Sequence, residues 1–135
     1  MRHYGAWVGC VLALLASSTS VAQQPPARPQ LLLQETVLGM PRGERQEITV
    51  LTATINPGQA TVFHTHSFPV TVFVLEGAFT LEMEGRPTVT VQAGQSMVEP
   101  QNVRMTGYNR STSVPTKVAI FYVADPGTPF LHPIQ

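Results

Sequence analysis

The feature that most constrains the fold is a period-two alternation of apolar and polar residues between closely spaced turn signals. The alternation runs through residues 48–55 and again through residues 79–84, and residues 117–125 form a further apolar segment. Because successive side chains of a strand lie on opposite faces, these segments predict β-strands. No segment after residue 30 has helical periodicity, so the sequence predicts an all-β antiparallel sandwich or barrel. The turn signals are Asn56-Pro57-Gly58-Gln59, Glu76-Gly77, Glu84-Gly85-Arg86-Pro87 and Ala93-Gly94-Gln95.

The first 22 residues have the order of a secretory signal peptide. Arg2 precedes an apolar run at residues 6–16, and the small-residue stretch SSTSVA then ends at Ala22. This order predicts cleavage after Ala22 and a secreted, periplasmic protein. The apolar run is too short for a membrane span, and none is expected in the mature protein. Residues 23–30 are rich in proline and predict a linker, which leaves residues 31–135 as the folded domain.

Composition narrows the possible functions of this 135-residue chain. Cys10 is the only cysteine, so cleavage of the signal peptide would exclude disulfides and thiolate catalysis. Acidic and basic residues balance at eight each, and neither sign forms a run. Such a balance predicts no nucleic-acid partner and no binding to an anionic membrane. The expected partners are a small-molecule ligand and, because the sheets would have open edges, a second copy in a homodimer.

A His-x-His pair, His64 and His66, opens the segment most suggestive of chemistry. Side chains at i and i+2 of a strand share a face, so both imidazoles are expected to project into one interior while Thr65 points away. Two neutral imidazoles in this arrangement form half of a site for a divalent metal. The alternative is that both histidines are hydrogen-bonded residues that line the interior without a metal.

Residues around this pair resemble the two motifs of the cupin family. Pro57-Gly58, His64-Thr65-His66 and Val74-Leu75-Glu76-Gly77 have the spacing of its first motif, within residues 57–77. Gly94, Pro100 and Asn109 are similar to the spaced residues of its second motif, within residues 94–109. The resemblance covers residues 45–125. It implies a double-stranded β-helix, or jelly roll, that holds a metal or a small ligand inside the barrel and forms a homodimer.

The sequence departs from the family pattern at two ligand positions. The position where metal-binding cupins usually carry glutamate falls on Val70, and that of the third histidine falls on Met105, or on Arg104 if the count slips by one. Two imidazoles without a carboxylate, joined by a thioether from Met105, would favour copper over zinc, iron or manganese. Two alternatives stay open: Met105 fills the core, or the barrel is metal-free.

Several other residues are assigned from their place in the motifs. Val70, Val72 and Met97 are expected to line the cavity. Glu99 is the one carboxylate near the second motif; it is either a proton carrier facing the cavity or, as the preferred interpretation, a rim residue before Pro100. Residues 109–111 fit a glycosylation acceptor, although the family asparagine explains Asn109 equally well.

Three functions are compatible with these features. The preferred hypothesis is a protein that binds a transition metal, or a small ligand held by that metal, through His64 and His66. The second is a small metal-dependent oxygenase or isomerase in which the substrate completes an open coordination sphere. The third is a metal-free module that binds a carbohydrate or a lipid fragment.

Overall fold

The computed structural model describes residues 24–135, which form two antiparallel β-sheets with no helix in that range. The all-β prediction is thereby confirmed. The predicted signal peptide lies outside the described residues. Residues 24–46 contain no strand, and the first strand begins at Glu47.

Within residues 24–135, no helix is present that is long and apolar enough to cross a membrane.

The chain passes back and forth between the two sheets. One sheet has four strands in the order β1-β8-β3-β6, and the other has five strands in the order β5-β4-β7-β2-β9. Alternation of this kind closes a jelly roll around one interior. The strands are β1 Glu47–Ile55, β2 His64–Thr65, β3 Val70–Glu76, β4 Ala78–Met83, β5 Val89–Gln92, β6 Ser96–Glu99, β7 Met105–Tyr108, β8 Thr116–Ala124 and β9 His132–Pro133.

The predicted strands agree with the observed ones within one residue at most ends. The segment expected at 117–125 is strand β8, Thr116–Ala124, and the alternating segment at 48–55 lies within β1. In β4 the alternation is less strict than predicted, because Thr80 is buried between Phe79 and Leu81. The hydroxyl of Thr80 lies 2.9 Å from the hydroxyl of Thr90 on β5, and this hydrogen bond compensates for its burial.

Gly77 and Asn102 are two of the residues that adopt left-handed backbone conformations. Gly77 has a φ of 71°, and a Cβ there would lie 2.5 Å from the carbonyl oxygen of Pro115, so only glycine fits. Asn102 lies in the loop that follows Pro100 and has a φ of 54°, which asparagine tolerates. The Asn102 amide donates a hydrogen bond of 2.7 Å to the carbonyl of His66. The loop before β7 therefore fixes the backbone of His66.

A single core fills the space between the sheets, and several polar residues are buried in it. Every buried side-chain nitrogen and oxygen among the described residues lies within hydrogen-bonding distance of another polar atom. The apolar core consists of Ile55, Phe68, Val70, Val72, Val74, Phe79, Leu81, Val91, Met97, Met105, Val118, Tyr122 and Ala124. The buried polar residues are His64, His66, Thr80, Glu99, Asn109 and Thr116.

Candidate metal centre

The His-x-His pair lies at β2 and projects into the barrel. His64 begins the strand and His66 follows its end; their exposed fractions are 4% and 0%. The rings meet edge to face with centroids 4.7 Å apart, and their Nε2 atoms are 3.1 Å apart. The expectation that both imidazoles share one interior face agrees with this geometry.

Backbone carbonyls hold the outer nitrogen of each imidazole. His64 Nδ1 lies 2.7 Å from the carbonyl oxygen of Val62, and His66 Nδ1 lies 2.6 Å from that of Phe130. A carbonyl oxygen can only accept a hydrogen bond, so each Nδ1 carries the proton and donates it. In the neutral form each Nε2 is then left with a lone pair directed into the interior. This is the tautomer that a histidine needs to bind a metal through Nε2.

Glu99 brings a carboxylate to the same point. It ends β6, is 5% exposed, and places Oε2 3.1 Å from His66 Nε2. Its position differs from the rim interpretation, because the strand pairing places it on the interior face directly opposite Val70. The carboxylate that the first motif lacks at Val70 is therefore supplied by the neighbouring strand.

The three side chains offer ligand atoms that all lie within 4.8 Å of one another, and all three side chains are buried. With both imidazoles neutral, the facing atoms are two lone pairs and a carboxylate, and none of them donates a hydrogen bond. Such a group of buried acceptors requires a proton or a cation between them. Burial lowers the pKa of the His64 imidazole. The hydrogen bond to the Val62 carbonyl partly opposes this shift, the neighbouring His66 adds to it, and the charge of Glu99 opposes it. The net effect disfavours a proton on His64. The arrangement of two imidazole nitrogens and one carboxylate oxygen is one that fits a metal cation.

Val70 and Met105, the two residues that replace ligands of the family pattern, both face the interior. Met105 begins β7, is fully buried, and pairs directly with His64 across the strands. Val70 is also fully buried. Arg104, the alternative to Met105, is exposed and pairs with Glu84 at 3.7 Å. The register thus gives the interior position to Met105 rather than to Arg104.

A cavity of about 130 Å³ lies beside His64 and Glu99. Its polar lining residues are His64, Glu99 and Thr61, and Phe130 lines it from the segment before β9. Val72 lies in its wall, whereas Val70 and Met97 are buried in the surrounding core. The apolar wall includes Ala53, Ile55, Val72, Phe79, Ile120 and Leu131.

The C-terminal segment is a part of the site that the sequence did not indicate. The Phe130 ring lies 5.0 Å from the His66 ring and 5.2 Å from the Tyr122 ring, measured between centroids. His132 in β9 points away from the cavity, and its Nε2 lies 2.8 Å from the Ser67 hydroxyl. No periodic pattern in the tail predicts these contacts.

Asn109 has a structural role that leaves no amide free for glycosylation. Its Nδ2 donates hydrogen bonds to the carbonyls of Ile55 at 2.9 Å and Val114 at 2.8 Å. Its Oδ1 accepts a hydrogen bond from the Ser111 amide, and the residue is 2% exposed. The motif asparagine thus joins the end of β1 to the loop before β8.

Comparison with known proteins agrees with this fold. A family model described as cupin domain matches residues 51–123. A cupin-like protein from Thermotoga maritima is similar at 17% identity and a TM-score of 0.55, over 64% of each chain. A Klebsiella pneumoniae protein with a double-stranded β-helix domain has 17% identity and a TM-score of 0.55, over 75% of this chain and 90% of that one.

One similar structure is that of an enzyme. The DMSP lyase DddQ from Ruegeria pomeroyi has 21% identity and a TM-score of 0.53, over 61% of this chain and 41% of the lyase. This chain therefore spans less than two thirds of both the lyase and the Thermotoga protein. At these identities the similarity shows the fold alone. Among curated proteins, a search found no match to this chain.

Proposed function

Because the chain belongs to the cupin family, we propose that it binds a divalent transition-metal ion inside the barrel through His64, His66 and Glu99. The observation that carries the proposal is the convergence of two Nε2 atoms and one carboxylate oxygen, each pair of neighbours 3.1 Å apart. Both Nδ1 atoms donate hydrogen bonds to backbone carbonyls, which leaves each Nε2 with a lone pair that can bind a metal. A cation held by these atoms would neutralise the buried carboxylate and satisfy all three acceptors.

The chemical types of the three ligands favour some metals over others. The lack of a carboxylate in the first motif, together with the Met105 thioether, predicts copper, whereas Glu99 adds a carboxylate to the ligand group. Two imidazoles and a carboxylate are typical of iron(II) sites with open positions, and zinc accepts the same set. We therefore favour iron(II) or zinc, and copper stays a prediction that depends on the Met105 sulfur joining the site. Copper binds most divalent-metal sites tightly in vitro, so the metal found in protein from its native compartment is more informative than affinity.

Catalysis is a second candidate function, favoured by the cavity next to the ligands. Three protein ligands leave coordination positions open, and a metal bound there would act as a Lewis acid on a bound molecule. Glu99 has one of two roles in this case: it is a ligand, or it carries a proton next to the two histidines. Metal content of Glu99→Gln distinguishes them, because only the first role predicts loss of the metal.

The metal proposal is tested by equilibrium binding to protein stripped with a chelator. Wild type is expected to take up one zinc ion per chain, and His64→Ala to lose affinity by more than about tenfold. His132→Ala is the matched control, because this histidine is exposed and lies outside the ligand group. Equal zinc affinity in wild type and His64→Ala would contradict the proposal.

We also propose that the protein is exported to the periplasm after cleavage at Ala22. The support is the order of charge, apolar run and small residues at the N-terminus. Intact-mass measurement of secreted protein is expected to give a chain that begins at Gln23. A secreted chain that retains Met1 would contradict export by cleavage.

A homodimer is proposed on the outer face of the four-stranded sheet. Ile48 and Val50 on β1 are 71% and 65% exposed, and Phe121 on β8, which pairs with Val50, is 44% exposed. A second copy covering this apolar face would remove it from water. Light scattering is expected to give twice the chain mass for wild type and the single mass for Val50→Glu. A monomeric wild type would exclude the dimer.

A further inference from the structure

The cavity beside the ligand group has a size and a wall that restrict what it can hold. Its volume is about 130 Å³. An apolar cavity of about 150 Å³ is known to accommodate benzene, so this one fits a compact body of about five or six carbon atoms. Voids of this size are few in proteins because their walls lose packing contacts.

Two of the polar residues that line the cavity, His64 and Glu99, lie close together and form one end of it, because their ligand atoms are within 4.8 Å of each other. Thr61 has no hydrogen left to donate to an anionic ligand, because its hydroxyl donates to the Val62 carbonyl at 3.2 Å while it accepts a hydrogen bond from Gly107 N at 2.9 Å. The polar groups left in the wall are His64 and Glu99, both members of the ligand group. A ligand would therefore have its polar group at this end and hydrocarbon elsewhere.

The net charge of the metal site determines which polar group a ligand of the cavity should carry. A divalent cation together with the Glu99 carboxylate leaves a net charge of one positive unit in an apolar surrounding. An anionic head group with a single charge would neutralise it, whereas a neutral head group would not. A sugar is a poor fit, since its hydroxyls would face apolar side chains such as Ile55, Phe79 and Leu131.

We propose, on the basis of the metal site proposed above, that the cavity binds a small monoanionic ligand with a compact hydrocarbon body. A short branched or cyclic carboxylate has this chemistry. The carboxylate occupies the end formed by His64 and Glu99, and the body contacts the apolar wall beneath Phe130.

The test compares isovalerate with isovaleramide, a neutral molecule of the same shape, and measures binding to chelator-stripped and zinc-loaded protein by calorimetry. Zinc is expected to strengthen isovalerate binding by at least about tenfold and isovaleramide binding much less, because only the carboxylate carries charge. Glucose is expected not to bind to either form.

A matched pair of variants on β1 tests the location. Ala53 lines the cavity, whereas Thr52 is exposed on the opposite face of the same strand. Ala53→Leu fills the cavity and is expected to weaken isovalerate binding to zinc-loaded protein by about tenfold or more, while Thr52→Leu leaves it unchanged. Zinc content serves as the control for folding. If Ala53→Leu does not take up zinc, Val72→Ile narrows the same cavity by a single methylene.

The outcomes separate this inference from the metal proposal. No zinc uptake by wild type would overturn both. Zinc uptake with equal binding of isovalerate and isovaleramide would overturn the inference and leave the metal site standing, as would isovalerate binding that neither cavity variant weakens. Binding of glucose would favour a carbohydrate-binding module instead.

Discussion

Glu99 on β6 lies directly opposite Val70 on β3. The cupin motif carries its carboxylate at the position of Val70, so in this barrel the neighbouring strand β6 supplies the buried carboxylate instead. Residues opposite each other in an antiparallel pair project from the same face of the sheet. The carboxylate of Glu99 consequently reaches His66 Nε2 at 3.1 Å although the first motif has no acidic residue. This relationship gives the site two imidazoles and one carboxylate.

Removal of the Glu99 charge is the first prediction. Glu99→Gln keeps the shape of the side chain and removes its anionic oxygen, so affinity for iron(II) and zinc is expected to fall by about tenfold or more. Equilibrium metal binding measures the change. Glu84→Gln is the control, because Glu84 is exposed, pairs with Arg104 and lies outside the ligand group. Unchanged affinity in Glu99→Gln would show that Glu99 is not a ligand.

A carboxylate added at Val70 gives the second prediction. Val70→Glu places a new carboxylate opposite Glu99 in a fully buried position. Without metal, two adjacent buried carboxylates repel each other, so the variant is expected to unfold at a lower temperature than wild type. With manganese or iron(II), the additional hard ligand is expected to raise its melting temperature more than that of wild type, and copper is expected to do so less.

Thermal unfolding with and without each metal checks the Val70 prediction. A variant that unfolds at the same temperature with and without metal would show that residue 70 does not face the ligand group.

Met105 provides the third prediction, which separates a ligand from a packing residue. Met105→Leu conserves volume and is expected to cost less than about 1.5 kcal/mol of folding free energy. If the sulfur binds copper, the variant loses copper affinity while zinc affinity changes little, because a thioether is a soft ligand. Calorimetric titration of both metals is the measurement.

Met105→His complements the conservative variant, since it introduces the third histidine of the family motif directly opposite His64. It is expected to strengthen metal binding beyond wild type. Tight binding by Met105→His with none by wild type would favour the metal-free alternative. Equal copper affinity in wild type and Met105→Leu would show that Met105 fills the core and is not a copper ligand.

The pH dependence of folding gives the fourth prediction. Burial lowers the pKa of His64 below its usual value of 6.5. Unfolded chains therefore bind a proton on His64 at a pH where folded chains do not. The unfolding free energy of metal-free protein is expected to be highest above pH 6.5 and to decrease as the pH falls through the lowered pKa.

Denaturant titrations of chelator-stripped protein at about pH 7 and about pH 5.5 measure this dependence, above the range in which most carboxylates titrate. The decrease is expected to be smaller in His64→Asn, which has no proton to gain. An identical decrease in wild type and His64→Asn would assign the effect to other groups.

The strands and the histidine pair could be predicted from the sequence because both depend on local alternation. The interior position of His64 and His66 follows from i, i+2 spacing alone. For Glu99 the sequence leaves both a cavity-facing and a rim position open, and the preferred rim position is wrong. Glu99 is two residues after Met97, for which the motif predicts a position facing the cavity. Applying the same spacing rule to β6 would have placed both residues on the interior face.

The contacts that complete the site depend on distant residues and could not be predicted. Glu99 is 33 residues from His66, and the two meet only because β6 pairs with β3. The carbonyl of Phe130, which fixes the tautomer of His66, is 64 residues away in a segment without periodicity. Local patterns give the faces of strands, whereas these contacts depend on strand order and on the path of the C-terminal segment.

The central claim is that His64, His66 and Glu99 bind a metal ion together. Anomalous X-ray scattering from crystals of protein purified from its native compartment tests it most directly. The account predicts one strong anomalous peak at about 2.0–2.2 Å from His64 Nε2, His66 Nε2 and a Glu99 carboxylate oxygen. Absence of a peak, with the two histidines and Glu99 joined only by hydrogen bonds or water, would contradict it.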